Sequence, residues 1–441
     1  MRILHTSDWH LGRTFHGRVL DDAHAAFADH LVELVATESV DAVLVAGDVY
    51  DRAIPPNDAV ALLDETLRRL TERTRVVLTP GNHDSARRLG FAADLMREGL
   101  IIRARTAGLD RGIMLPDADG NEAAIVHALP YLDPDAAREI LPPLLTERLG
   151  EETPTKGTAG DDQAESGDTA SQPVQAEHPR LPRSHEAVVS AALRLVAADL
   201  DRLRTGRTRR LPSLLMAHAF VVGGEACESE RDIRVGGVDS VPSGVFTTLG
   251  GSPLAERSGG LDYVALGHLH RPQELTRPTG PRLVYSGSPL PFSFDEAEGA
   301  RNSATKSSVL LDLGADGVTG LERIPTPVLR RVRTLTGTMP ELLSPVFDDA
   351  TSAWVRVILQ GERPPGALAT LKERFPSLLA FQHEAPTRTA RERIAVTAAA
   401  DPLRITEDFF DDVCGRAPEP SERGVLRSAY ESALASARSE R

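Results

Sequence analysis

A chain of 441 residues exceeds what one hydrophobic core ordinarily serves, so two or three folded units are expected. With 41% hydrophobic and 26% charged residues it is neither disordered nor membrane-embedded in composition, and no apolar run approaches the ~20 residues of a membrane-spanning helix. A net charge of −14 speaks against gripping nucleic acid by bulk electrostatics, although residues 151–177, with seven acidic side chains and the single cation Lys156, supply a net −6 of it.

Arginine carries nearly all the positive charge, since only Lys156, Lys306 and Lys372 are lysines; it is the better geometric partner for phosphate, though a GC-rich genome gives the same bias. Cys227 and Cys414 stand far apart, so neither a disulfide framework nor a cysteine zinc site is indicated. The opening Met1–Asp8 lacks the apolar stretch of a secretory signal, and the cytoplasm is the expected location.

In chain order, short β-branched runs alternate with helical patterns, the mark of α/β layering. Ile3-Leu4, Ala42–Ala46, Val76–Leu78, Ser213–Met216, Tyr263–Leu266 and Leu283–Tyr285 read as strands. Ala23–Val35, with Phe27, Leu31, Leu34 and Val35, and Ala59–Leu70, with Leu63, Leu67 and Leu70, read as helices between the first three. Residues 150–183, rich in Gly, Thr, Ser, Asp, Glu and Pro, read as a disordered acidic insertion in a first domain spanning 1–328. Val189, Leu193, Val196, Leu200 and Leu203 then mark an amphipathic helix.

After Pro325 and Pro327 the pattern changes. Residues 329–400 are expected to form a small α/β domain: strands Leu329–Leu335, Trp354–Leu359 and Leu378–Gln382, with helices at Pro340–Leu343 and Gly366–Phe375. Residues 401–441 read as two helices, Ile405–Val413 and Glu422–Ala437, whose apolar faces suit either packing on the small domain or docking on a partner.

The chemistry is carried by the residues just beyond each strand of the first domain. Asp8-Trp9-His10, Gly47-Asp48-Val49-Tyr50-Asp51, Gly81-Asn82-His83-Asp84, His218 and Gly267-His268-Leu269-His270 all sit at strand ends, where α/β sheets collect ligands. Carboxylate, imidazole and amide oxygen without thiolate suit Mn²⁺, Fe or Zn²⁺. Two divalent ions roughly 3.5–4 Å apart clamp a phosphoryl group, and a shared carboxylate must hold them that close. Asp48 is the natural bridge, with Asp8, His10 and His270 on one ion and Asn82, His218 and His268 on the other. His83 is then free to protonate the leaving oxygen, with Asp51 to orient it. Arg52 is a candidate for steadying a phosphate oxygen, an ordinary surface salt bridge being nearly as good a reading. The remaining histidines get no site role.

This series of motifs resembles the calcineurin-like metallophosphoesterases. Ser7–Gly12, Ser229-Glu230-Arg231, Gly267–Arg271 and Tyr285–Pro289 followed by Ser293-Phe294 further resemble the SbcD-type nuclease subunits, over most of residues 1–330 and more loosely beyond. The resemblance implies a layered core of sheets flanked by helices, a small α/β capping domain that contacts DNA, and a C-terminal helical segment that binds SbcC, a long coiled-coil ATPase. It also implies Mn²⁺-dependent exonuclease and endonuclease activity on double-stranded DNA ends and hairpins in repair and recombination, by a homodimer within a heterotetramer. A small-molecule phosphatase would share the metal site without needing the capping domain and tail. A silent scaffold would not need the complete ligand set.

Overall fold

Ile3, Leu4 and every residue of Ala42–Ala46 are buried, because they lie in the parallel heart of a six-stranded sheet covered on both faces. The computed structural model describes residues 1–96, 99–117, 119–150, 180–230, 240–275, 279–296, 305–385, 402–414 and 416–439. The first sheet runs Gly317–Pro325, Ser307–Gly314, Arg2–Thr6, Ala42–Ala46, Arg75–Thr79, Leu100–Ile102; its last four strands are parallel and the hairpin at its start is antiparallel. The second runs Gln273–Leu275, Arg282–Tyr285, Tyr263–Gly267, Ser213–His218, Glu122–Ala128, Ile113–Pro116, parallel through its four inner strands.

The sheets face each other. Ile3, Leu44 and Val77 of the first interdigitate with Val126, Leu214, Met216, Ala265 and Val284 of the second. The alternate residues point outward: Leu4, Val43, Val45 and Val76 pack under helices Asp21–Thr37 and Asn57–Thr71. Leu215 and Val264 pack under Pro134–Leu149 and His185–Arg204. The result is a helix–sheet–sheet–helix sandwich. Truncating an interior side chain such as Leu44 to alanine would cost ~2–5 kcal/mol.

The small α/β region is a parallel three-stranded sheet, Val332–Gly337, Trp354–Gln360 and Leu378–Glu384, backed by helix Ala367–Arg374 around Leu335, Val355, Val357, Leu371 and Phe375. It begins later than the expected Leu329, because Val328 and Leu329 are exposed linker. Trp354 stacks on Phe15 of the sandwich at 5.3 Å, with Phe294 edge-on to Phe15. Residues 1–384 accordingly form one compact unit, with the small sheet a sub-core inside it. The second unit, 385–441, contains helices Pro402–Cys414 and Pro420–Ser439, with Arg416 paired to Glu422 at 2.7 Å ahead of the second. Most of the expected insertion, residues 151–179, lies outside the described residues, as do 386–401 of the expected small domain. Among the described residues no helix is long and apolar enough to cross a membrane.

Candidate metal centre

Because the inner strands of both sheets are parallel, their carboxyl ends open onto one rim, and the turns there are strained. Asp8, His10, Asp48 and His268 all adopt positive φ, at 54°, 46°, 49° and 101°. Such backbone costs of order 1–3 kcal/mol per residue and persists only where the surroundings impose it. The adjoining glycines show what imposes it. A Cβ on Gly47 would lie 2.2 Å from His218 Nδ1, one on Gly81 2.2 Å from Asp48 Oδ1, and one on Gly267 1.9 Å from the Ala46 carbonyl. Gly47 and Gly267 therefore let the two sheets bring their loops together, and Gly81 lets the Asn82 loop close on Asp48.

All seven expected ligands meet there. His10 Nε2 lies 3.1 Å from His270 Nε2, and ligand atoms of Asp8, His10 and His270 share one cluster. Asn82 Oδ1 lies 2.9 Å from His218 Nε2 and 3.2 Å from His268 Nδ1, forming a second. Between them, Asp48 Oδ2 is 3.6 Å from His10 Nε2 and 3.4 Å from His218 Nε2. Asp8, His10, Asp48, His218, His268 and His270 are all buried, and Asn82 partly so.

The donor set fits divalent cations. Two imidazole nitrogens facing each other, and two more facing one amide oxygen, need either protons or a cation between them. The buried Asn82 Nδ2 and His10 Nδ1 have no hydrogen-bond partner, whereas the inward Asn82 Oδ1 and His10 Nε2 face only the other expected ligands. The electrostatics point the same way. Burial alone would raise Asp48, but His218, by charge and hydrogen bond, and then His10 hold it well below the usual carboxylate range. Burial alone would lower His218, yet Asp48 holds it up at about 9.

His83 stands beside this cluster, its ring 4.7 Å from that of His10, and its backbone N–H donates to Asp48 Oδ1 at 2.8 Å. Its Nδ1 lies 2.7 Å from the main-chain carbonyl of Asp51. That differs from the expectation of a carboxylate partner: the Asp51 side chain turns to His10 Nδ1 at 3.7 Å and Arg13 at 3.5 Å. Arg52 is exposed and makes no ion pair among the described residues. Arg13 takes the more central place: it donates to Ser229 O at 2.8 Å and lies over the Phe292 ring at 4.7 Å.

The supports lay partly inside the motifs, as Asp84, Ser229 and Glu230, but without a role assigned from sequence. Asp84 accepts from the N–H groups of Val49, Tyr50 and Gly81 at 3.0, 2.9 and 2.9 Å, tying the Asp48 loop to the Asn82 loop. Burial and then the charge of Asp48 push Asp84 up to about 7. His270 has a deeper support: its N–H donates to Glu230 at 2.8 Å, and its Nδ1 lies 2.6 Å from Ser229 Oγ, which donates in turn to Glu296. Lys306 pairs with Glu296 and donates to the His270 carbonyl at 2.7 Å, and both charged residues are 6% exposed. Burial would raise Glu296, but Lys306 and His270 hold it well below its ordinary range.

The buried pair has a testable role. Lys306→Met, which strands a buried carboxylate, should cost roughly 3–5 kcal/mol of stability. Glu296→Gln/Lys306→Met should recover most of that while metal affinity stays down at least ~10-fold, because the support behind His270 is lost. Melting curves beside a metal titration check it; affinity that recovers along with stability would reduce the pair to packing.

A family model described as calcineurin-like phosphoesterase matches residues 1–119. The chain is 35% identical over 431 residues to the SbcD subunit of the SbcCD nuclease of Rhodobacter capsulatus, covering 92% of this chain and 91% of that one. It is 31% identical over 343 residues to the SbcD subunit of the SbcCD nuclease of Escherichia coli K12, covering 78% and 72%. Divalent-metal ligand types gathered at one sheet rim, a phosphoesterase match over the segment that supplies Asp8, Asp48 and Asn82, and relatives alike over nearly the whole chain agree: the chain belongs to the SbcD-type nuclease subunits of the calcineurin-like phosphoesterases and is a metal-dependent phosphodiesterase.

Proposed function

We propose that the chain cleaves DNA phosphodiester bonds at duplex ends and hairpins, with two Mn²⁺ ions held by Asp8, His10 and His270 on one side and Asn82, His218 and His268 on the other. The observation that carries this is Asp48 Oδ2, set 3.6 and 3.4 Å from the inward nitrogens of His10 and His218, one from each cluster. When bound, such ions supply charge stabilisation at the phosphoryl oxygens and an activated water. The chain supplies the proton. His83 Nδ1, engaged with a carbonyl, keeps its proton in both states of the ring, so Nε2 is the atom that gives one to the leaving oxygen. In this reading Asp51 orients His83 through its backbone, and Arg52 meets phosphate at the rim.

Partners are inferred from surfaces and relatives. Ile54, Val60 and Phe91, exposed at 65%, 43% and 81%, line one groove with Leu63 and Leu67, a contiguous apolar surface suited to pairing two copies. Ile54→Glu/Phe91→Glu should convert a homodimer to monomers in sedimentation with metal content unchanged; an unaltered mass would remove the groove from this role. The terminal helices, whose first carries Phe409 and Val413 at 67% exposure each, are assigned to docking on the SbcC ATPase, giving a heterotetramer.

The test of the whole reading is a labelled hairpin duplex cleaved with Mn²⁺, with and without the ATPase and ATP. Removing residues 402–441 should leave cleavage of a nitrophenyl phosphodiester unchanged and abolish ATP stimulation on DNA. Equal capture of the ATPase by both chains would overturn the docking role, and a hairpin left intact by the full assembly would overturn the substrate assignment.

A further inference from the structure

Leu100–Ile102 is the last parallel strand of the first sheet, hydrogen-bonded to Arg75–Thr79, and its carboxyl end opens on the same rim as the metal-ligand loops. There the chain supplies Arg103, Arg105 and Arg111, and Arg87 reaches the same place from the short helix Ala86–Leu89, which starts three residues after His83. The four arginines line one cavity of about 820 Å³. Among its described lining residues Asp94 is the only acidic one, and it is paired with Arg105 at 2.9 Å.

Among the described residues no ion pair engages Arg87, Arg103 or Arg111. Arg103 is half-buried, and its Nε is buried without a hydrogen-bond partner. Burial and then the charge of Arg111 push its guanidinium down, outweighing the opposing charges of Asp94 and Asp110. Arg87 and Arg111 are exposed and Arg103 is half-buried, so one concavity of a chain with net charge −14 presents three guanidinium groups that no carboxylate pairs directly among the described residues. The planar fork of arginine matches phosphate oxygens two at a time.

We propose that this cavity binds a backbone phosphate of the DNA strand flanking the scissile bond. Neighbouring strands lie ~4.8 Å apart, so Arg103 stands one strand over from the loop of Asn82 and two from that of Asp48. A nucleic acid lying along the rim passes both places. The proposal rests on the nuclease reading and adds to it a contact remote from the metals, which positions substrate without touching the reacting atoms. Phosphate is the shared chemistry, and a free phosphate or nucleotide is the competing source.

The test uses the full chain carrying Arg103→Gln/Arg111→Gln, with exposed Arg73→Gln/Arg209→Gln as a charge-matched control. Affinity for a labelled duplex is measured without added metal across a salt series. Each lost phosphate contact removes ~0.9 from the slope of log K against log salt, so the double variant, losing one, should be shallower by about one and bind at least about tenfold more weakly at low salt. Metal content and turnover of a nitrophenyl phosphodiester should stay as in the wild type. A change no larger than the control's overturns the proposal. An unchanged DNA slope with loss of inorganic-phosphate stabilisation in melting assigns the cavity to a small anion and also overturns it. Failure of the wild-type chain to cleave any DNA while it turns over the nitrophenyl diester would count against the nuclease reading, not against an anion in this cavity.

Discussion

Asp48→Asn is expected to abolish metal-dependent phosphodiester cleavage while leaving the fold intact, the loss of the Asp48–His218 pairing being offset in part by relief of carboxylate repulsion. Three carboxylates, Asp8, Asp48 and Asp84, are gathered in the buried centre, and the charge of Asp48 raises both of the others. Removing one charge relieves that repulsion. His218 then reverts to a neutral buried imidazole, since Asp48 is the main group opposing the effect of burial on it. The backbone bond from His83 survives, because an amide oxygen in place of Asp48 Oδ1 still accepts it. A shared anionic ligand between the two clusters cannot survive. Mass spectrometry should find fewer than two ions per chain, and Mn²⁺ should raise the melting temperature of the wild type far more than that of the variant. Two tightly held ions with normal turnover would take Asp48 out of the bridging position.

The same pairing fixes a pH dependence. With its pKa held up at about 9, His218 carries a proton at neutral pH in the metal-free protein, and a cation taking its Nε2 must displace that proton. Apparent metal affinity should therefore rise with pH, about tenfold per unit for that one proton below pH ~9, and level off above it. Calorimetry in buffers of different ionisation enthalpy should detect proton release at pH 7. Binding without release would mean that His218 is not a ligand. The Asp48→Asn chain should show a flatter profile, its His218 already neutral.

The legibility of the site in the sequence depended on what each side chain had to say locally. Asp8, Asp48, Asn82, His218 and His268 announce themselves because each lies at the end of an apolar run, and a parallel sheet collects strand ends in space. The partition of those strands into two facing sheets was not legible, since pairing between strands far apart in the chain leaves no local mark. Helix Pro134–Leu149 is absent from the expected elements; it holds Pro142 and Pro143, a residue type that usually breaks helices, although Asp133 caps its start and Gly150 at positive φ closes it. Glu296 and Lys306 look like surface residues, as such types usually are, and only the fold shows them buried together behind His270. Asp51 was chosen for its carboxylate, whereas the atom facing His83 is one that every residue possesses.

His83→Gln is the change that separates binding from chemistry. Glutamine keeps the backbone N–H to Asp48 and places an amide where it can still reach the Asp51 carbonyl, so the loop geometry should hold. It cannot deliver a proton at neutral pH. DNA affinity and two-ion occupancy should therefore match the wild type, while the cleavage rate falls at least ~10²-fold, about 2.7 kcal/mol of transition-state stabilisation. The deficit should shrink on a nitrophenyl phosphodiester, whose leaving group departs without a proton. It should persist on DNA, where the leaving sugar oxygen needs one. His83 also lies close enough to His10 and Asp48 for the three to share a cation, so a competing outcome is specific: loss of one ion in the variant would make His83 a ligand and move the acid elsewhere. A deficit equal on both substrates with metal retained would leave His83 a positioning group, and Arg13, paired with Asp51 and packed on Phe292, would be the next side chain to examine.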